Sequence, residues 1–140
     1  MNNLRDQYSI YQFGMMPTQR GLLHDKIEKR FLQMIAGGFV EEVRELYVRE
    51  NLNGDLPALR SVGYRQLWSF CNGETNLDEA VRRGIVATRQ LAKRQLTWMR
   101  GWDGLEIVPL DDGKKLLSTK KIVDEWLKIL LRTPISSFVD

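Results

Sequence analysis

Cysteine, histidine and long apolar runs are all scarce in this sequence of 140 residues, and each scarcity removes a class of function. The single cysteine, Cys71, permits no intrachain disulfide and fits a reducing, cytoplasmic setting. The single histidine, His24, lies far from Cys71 in sequence, so no metal-ligand set is recognisable. Neither residue has a neighbour that would make it a nucleophile or base, and both are expected to be structural. No apolar run approaches the roughly 18–20 residues that a bilayer crossing needs. Residues Met1 to Asp6 carry no apolar stretch of the kind a signal peptide requires. The motifs Gly-x-x-x-x-Gly-Lys-[Ser/Thr], Gly-x-Gly-x-x-Gly, His-Glu-x-x-His and Gly-x-Ser-x-Gly are all absent. One further absence is local: between Ala80 and Trp102 there is no acidic residue.

What is present suffices for one domain over residues 1–140. The chain is 43% hydrophobic and 28% charged, with a net charge of +3, which suits a folded protein and not a disordered tail. Tyr8 to Met15 alternates with aromatic and β-branched residues on both faces, which predicts a short strand over 8–15 buried on two sides. Pro17 stops it, and Thr18 is placed to cap a helix running to about Ala36, with Leu23, Ile27, Phe31 and Met34 as its core stripe. Gly37-Gly38 ends that helix. A second helix carries Phe39, Val43, Leu46 and Tyr47 on one face. Pro57 suits the first turn of a short helix. Another helix opens near Ser61 and runs through Trp68 to Asn72-Gly73. The longest starts at Asn76, with Glu79 in capping-box position, and continues to about Met99. Leu105 to Val108 reads as a second strand, and an amphipathic helix over Ile122 to Leu130 closes the chain before Pro134. The fold class is mainly α with two short strands, each expected to add to a parallel sheet whose other strands lie outside this sequence.

Three places carry candidate chemistry. At about 100° per residue, Arg82, Arg89, Lys93 and Arg100 fall within about 20° of one line on the longest helix. Val81, Ile85, Ala92, Leu96 and Met99 take a separate face. A cationic rail with no acid nearby is what a phosphate backbone requires. A solvated basic face has the same composition, but the length of the acid-free run favours the rail. In Arg60-Ser61-Val62-Gly63-Tyr64-Arg65-Gln66, two arginines bracket a glycine and a tyrosine where a helix begins. Free N–H groups there suit phosphate, Gly63 lets a backbone approach closely, and Tyr64 can stack on a base. The segment is equally a helix start with a packed tyrosine and two surface arginines. Arg30 lies at the shoulder of its helix's apolar stripe, where a sheltered guanidinium grips phosphate bidentately; a snorkelling stem explains the same position.

Taken together, Leu22 to Phe31 with Gly38 to Val43, Arg60 to Gln66, and Ala87 to Trp98 resemble the bacterial tRNA dimethylallyltransferase (tRNA isopentenyltransferase) family. The similarity covers about Tyr8 to Trp102. It implies the C-terminal part of a P-loop NTPase-like α/β fold, with a strand over 8–15, a helical tRNA-binding part over 18–102, and a closing strand and helix over 105–133. It further implies transfer of a dimethylallyl group from dimethylallyl diphosphate to the exocyclic amine of the adenosine 3′ of a tRNA anticodon, with Mg²⁺. The adenine is flipped out of the anticodon loop. By this resemblance Arg30 helps hold the donor's diphosphate. Arg60, Ser61, Val62, Gly63, Tyr64 and Arg65 contact the tRNA anticodon stem-loop. So do Arg89 and the run Lys93, Arg94, Gln95, Leu96, Thr97, Trp98, Met99 and Arg100.

The family's P-loop, its Mg²⁺-site hydroxyl and its acidic general base belong to an N-terminal half that these residues do not match. Lys26 stands where relatives commonly have arginine. The expectation is therefore a chain with no catalytic residue of its own and no metal ligand. It would supply tRNA binding and part of the diphosphate site, be inactive alone, and have the missing N-terminal half as a partner. The alternative is a non-catalytic helical RNA-binding module.

Overall fold

Parallel pairing needs a long crossover, and here the crossover is most of the chain. A computed structural model describes residues 7–49 and 51–133. Strand β1 (Gln12–Met16) pairs in parallel with β2 (Leu105–Pro109), Gln12 opposite Leu105 and Met16 opposite Pro109. Between them run α1 (Arg20–Ala36), α2 (Phe39–Tyr47), α3 (Tyr64–Cys71) and α4 (Leu77–Arg100); α5 (Thr119–Leu130) follows β2. The chain divides into two units, one holding residues up to Leu22 and from Gln95 onward, the other Leu23–Arg94.

In the first unit the two strands pair with each other, in the parallel sense expected of them. Phe13, Met15 and Val108 share one sheet face by register, and α5 packs there with Trp126 edge-on to Phe13 at 6.0 Å. On the other face Met99 and Leu105 lie over Gly14, where an added Cβ would come within 2.8 Å of each. The strand begins four residues later than expected, and Tyr8 and Ile10 are exposed. The reason is the partner: Gly104, at φ +72°, bends the chain just before Leu105, so nothing in β2 extends past Gln12.

Nor does Thr18 cap α1, which starts at Arg20. The buried carboxylate of Asp111, just past β2, accepts from the Thr18 N–H (2.6 Å), the Gln19 N–H (3.2 Å), the Gly113 N–H (2.9 Å) and the Thr18 hydroxyl. A carboxylate distant in sequence takes the role that a local side chain was expected to play, and its negative charge sits where a helix N-terminus favours one.

The second unit has its own core. Phe31 of α1, Phe39 and Val43 of α2, Leu67 of α3, and Ala80 and Ile85 of α4 are buried together. The α1 stripe turns from Phe31 to Ile35, one helical step on, and leaves Met34 38% exposed. Gly63, at φ +98°, is buried against the ring of Phe39. Residues around Pro57 form turns and no helix, and α3 begins at Tyr64 instead of near Ser61. As expected, a helix carries Phe39, Val43, Leu46 and Tyr47, and α4 runs from just after Asn76 to Arg100. Cys71 is half-buried beside this core, and burial pushes its thiol pKa up.

Candidate nucleic-acid interface

Two of the three candidate places meet in one cleft of the second unit. Ile27, Arg30, Phe31 and Met34 of α1, Val62 of the Arg60–Gln66 segment, and Thr88 and Leu91 of α4 line an opening of about 260 Å³. Its floor is apolar and Arg30 stands at its edge. Arg30 is exposed, not sheltered as expected, because the stripe it flanks has turned toward Ile35. Among the described residues no carboxylate lies within ion-pair distance of Arg30, Arg60, Arg65, Arg94 or Arg100.

The Arg60–Gln66 segment differs from its expected role at its centre. Gly63 allows the close approach of Phe39, not of a ligand backbone. The ring of Tyr64 stands edge-on to Phe39 at 5.0 Å and its hydroxyl donates to Glu42, so the residue is held in place by α2. Glu42, by its hydrogen bond first and by charge, and burial together raise the Tyr64 pKa, so the phenol stays protonated. The helix start is also partly closed: the Gly63 N–H donates to Gln66 Oε1 at 2.8 Å and the Arg65 N–H to the Ser61 carbonyl at 3.1 Å. The Ser61 hydroxyl donates to the Ala58 carbonyl at 2.6 Å. Arg60 and Arg65 remain exposed.

The rail is corrected in two places. Arg82 donates through Nε and Nη2 to Glu79, each at 2.8 Å. Arg89, half-buried, donates to Glu28 Oε2 at 2.6 Å and to the His24 carbonyl. An acid-free stretch of sequence is not acid-free in space: Glu79 stands one helical turn before Arg82, and Glu28 reaches Arg89 from α1. The first pairing is legible from i,i+3 spacing; the second joins residues 61 apart and has no local signal. Glu79 itself departs from the capping box. Its N–H donates to the capping Asn76 Oδ1 at 2.9 Å, but its carboxylate turns to the arginines. Two guanidinium partners hold that carboxyl down at a pKa of about 2.

Of the last turns of α4, Leu96 is buried and Met99 half-buried over Gly14, so these two support the helix instead of facing a ligand. Arg94, Gln95, Thr97, Trp98 and Arg100 are exposed, Trp98 by 75%, and Lys93 is exposed but engaged within the fold. A large indole left in water on a basic helix is suited to stacking.

By fold the protein falls in a mainly helical, P-loop-like class with a two-stranded parallel sheet. The solved tRNA isopentenylpyrophosphate transferase of Bacillus halodurans matches with a TM-score of 0.74 at 28% identity, over 86% of this chain and 38% of that one. The tRNA delta(2)-isopentenylpyrophosphate transferase of Staphylococcus epidermidis shares the fold with a TM-score of 0.66 at 23% identity, over 89% of this chain and 38% of that one. The model of the IPP transferase family matches residues 1–102, and the chain belongs to that family. It spans 38% of the length of each of these two solved relatives.

Proposed function

We propose that this chain is the tRNA-binding portion of a tRNA dimethylallyltransferase and supplies part of its diphosphate site. The observation that carries the reading is the shared cleft: Arg30 of α1, Val62 of the Arg60–Gln66 segment, and Thr88 and Leu91 of α4 line one opening, where Arg30, with no carboxylate partner among the described residues, adjoins an apolar wall. An apolar wall suits a dimethylallyl chain, and a guanidinium suits the diphosphate it leaves behind. In the transfer, the adenine exocyclic nitrogen bonds to the allylic carbon while the carbon–oxygen bond to diphosphate breaks and that group departs with the electron pair. Arg30 would hold the departing charge. The amine proton must go to a base, and Tyr64, kept protonated by Glu42, is not one.

Among the described residues no three His, Cys, Asp or Glu side chains converge on a metal position. Among the described residues, too, no helix is long and apolar enough to cross a membrane. The exposed arginines and Trp98 offer the RNA contacts.

The test has two parts. Incubated with unmodified tRNA and dimethylallyl diphosphate, the chain is expected to bind RNA without prenyl transfer; clear turnover would overturn its dependence on a further half. Arg60→Ala with Arg94→Ala should weaken binding of an anticodon stem-loop and lower the slope of log K against log salt by about 1.4–1.8, two phosphate contacts' worth. An unchanged slope would make these arginines a solvated surface. Binding indifferent to dimethylallyl diphosphate and to Arg30→Ala would leave a non-catalytic RNA-binding module.

A further inference from the structure

A second opening in the same unit holds more positive charge than the first. It measures about 380 Å³ and lies between α3 and α4, lined by Arg65, Gln66, Ser69, Thr75, Arg82 and Arg83 among others. Three guanidinium groups share it with Gln66, Ser69 and Thr75 and with the apolar Val86 and Ala87, and the Thr75 hydroxyl oxygen is buried with no hydrogen-bond partner among the described residues. The only carboxylate in ion-pair contact with these arginines among the described residues is Glu79. It takes Arg82 in a fork, Nε and Nη2 at 2.8 Å each, and Arg83 Nε at 2.6 Å. A carboxylate gripped in this way imitates the bidentate acceptor that a phosphate presents.

We propose that this cleft binds a phosphate group of the RNA backbone and that Glu79 is its built-in competitor, occupying Arg82 and Arg83 until RNA arrives. The inference rests on the reading of the chain as RNA-binding and extends it to residues outside the Arg30 cleft. Two observations carry it. The side chains of Arg82 and Arg83 are 67% and 57% exposed, so both can swing from Glu79 to an incoming anion. Water screens pairs this exposed, so a better-placed anion can compete with Glu79 even though its grip on Arg82 is bidentate. Arg65, with no carboxylate partner among the described residues, adds a third charge that Glu79 does not neutralise. A phosphodiester that displaces Glu79 gains all three; a lone weak anion meets a cleft already partly satisfied.

The experiment titrates wild type, Glu79→Gln and Arg82→Ala/Arg83→Ala with an unmodified anticodon stem-loop over a range of salt, and follows the arginine Nε–Hε resonances with inorganic phosphate as a second probe. Glu79→Gln keeps the shape and removes the competitor, so it should tighten RNA binding about three- to tenfold and steepen the salt slope by about one. The double alanine variant should weaken binding about tenfold. Circular dichroism confirms that each variant is folded. If wild type binds RNA and neither variant changes affinity or slope, the cleft proposal falls and the RNA reading stands on the other arginines. If no form binds RNA, the RNA reading falls; saturable shifts of Arg65, Arg82 and Arg83 with phosphate in Glu79→Gln would then keep the anion site, and their absence would end it.

Discussion

Phe31→Ala should destabilise the second unit by about 3–5 kcal/mol, read as a lower denaturant midpoint at unchanged slope. The ring is 4% exposed, stands edge-on to Phe39 at 6.3 Å, and belongs to the cluster that also buries Leu67 and Val43. Total stabilities of domains run to only about 5–15 kcal/mol, so the loss is a large share. The same ring explains Gly84. A Cβ there would lie 2.3 Å from Phe31 Cζ, so Gly84→Ala should cost about 1–3 kcal/mol by overpacking. In the Phe31→Ala background the added methyl has room, and the cost should vanish or reverse. A double-mutant cycle showing strict additivity would mean that the two side chains do not meet.

Asp111→Asn should weaken the joint between β2 and the start of α1 more than Asp112→Ala weakens its own loop, where the carboxylate accepts from the nearby Lys114 and Lys115 N–H groups. Asp111 accepts four hydrogen bonds, three of them from backbone N–H groups. Asparagine has one acceptor oxygen where these donors use two, and it brings an N–H₂ toward other donors. The bond from the Thr18 hydroxyl, followed by those from Gly113, Gln19 and Thr18 N–H groups, holds the Asp111 pKa below the ordinary 3.8. A carboxyl whose folded value is depressed contributes its full stabilisation above the unfolded value and loses it as pH falls through the folded one. Wild type should therefore lose stability progressively below about pH 4. Asp111→Asn should be less stable near neutrality and approach wild type in acid. Parallel curves for the two proteins down to pH 2 would show that the carboxylate is not what the donors require.

The elements legible beforehand are those that local spacing defines. The 3.6-residue repeat of Phe39, Val43, Leu46 and Tyr47 marks α2, and Asn76 with the acid-free run marks α4. Leu105 to Val108, stopped near Pro109, marks β2. The failures share one cause. Tyr8 and Ile10 look like strand residues, yet pairing needs an opposite strand and β2 begins only at Leu105. Thr18 looks like a cap, yet Asp111 arrives from beyond the second strand. Arg89 looks like a free cation until Glu28 reaches it from another helix.

The order of residues by itself determined the helices, the basic bias of α4 and the likeness to the IPP transferase family, because helix periodicity and motif spacing are properties of neighbours along the chain. Only the tertiary structure decided which arginines stay open and which are answered by acids, and that Arg30 and Val62 share a cleft while Arg65, Arg82 and Arg83 share another. Charge acts through space and falls off with distance in ångströms, so a carboxylate 61 positions away can quench a cation that its own sequence neighbours leave bare.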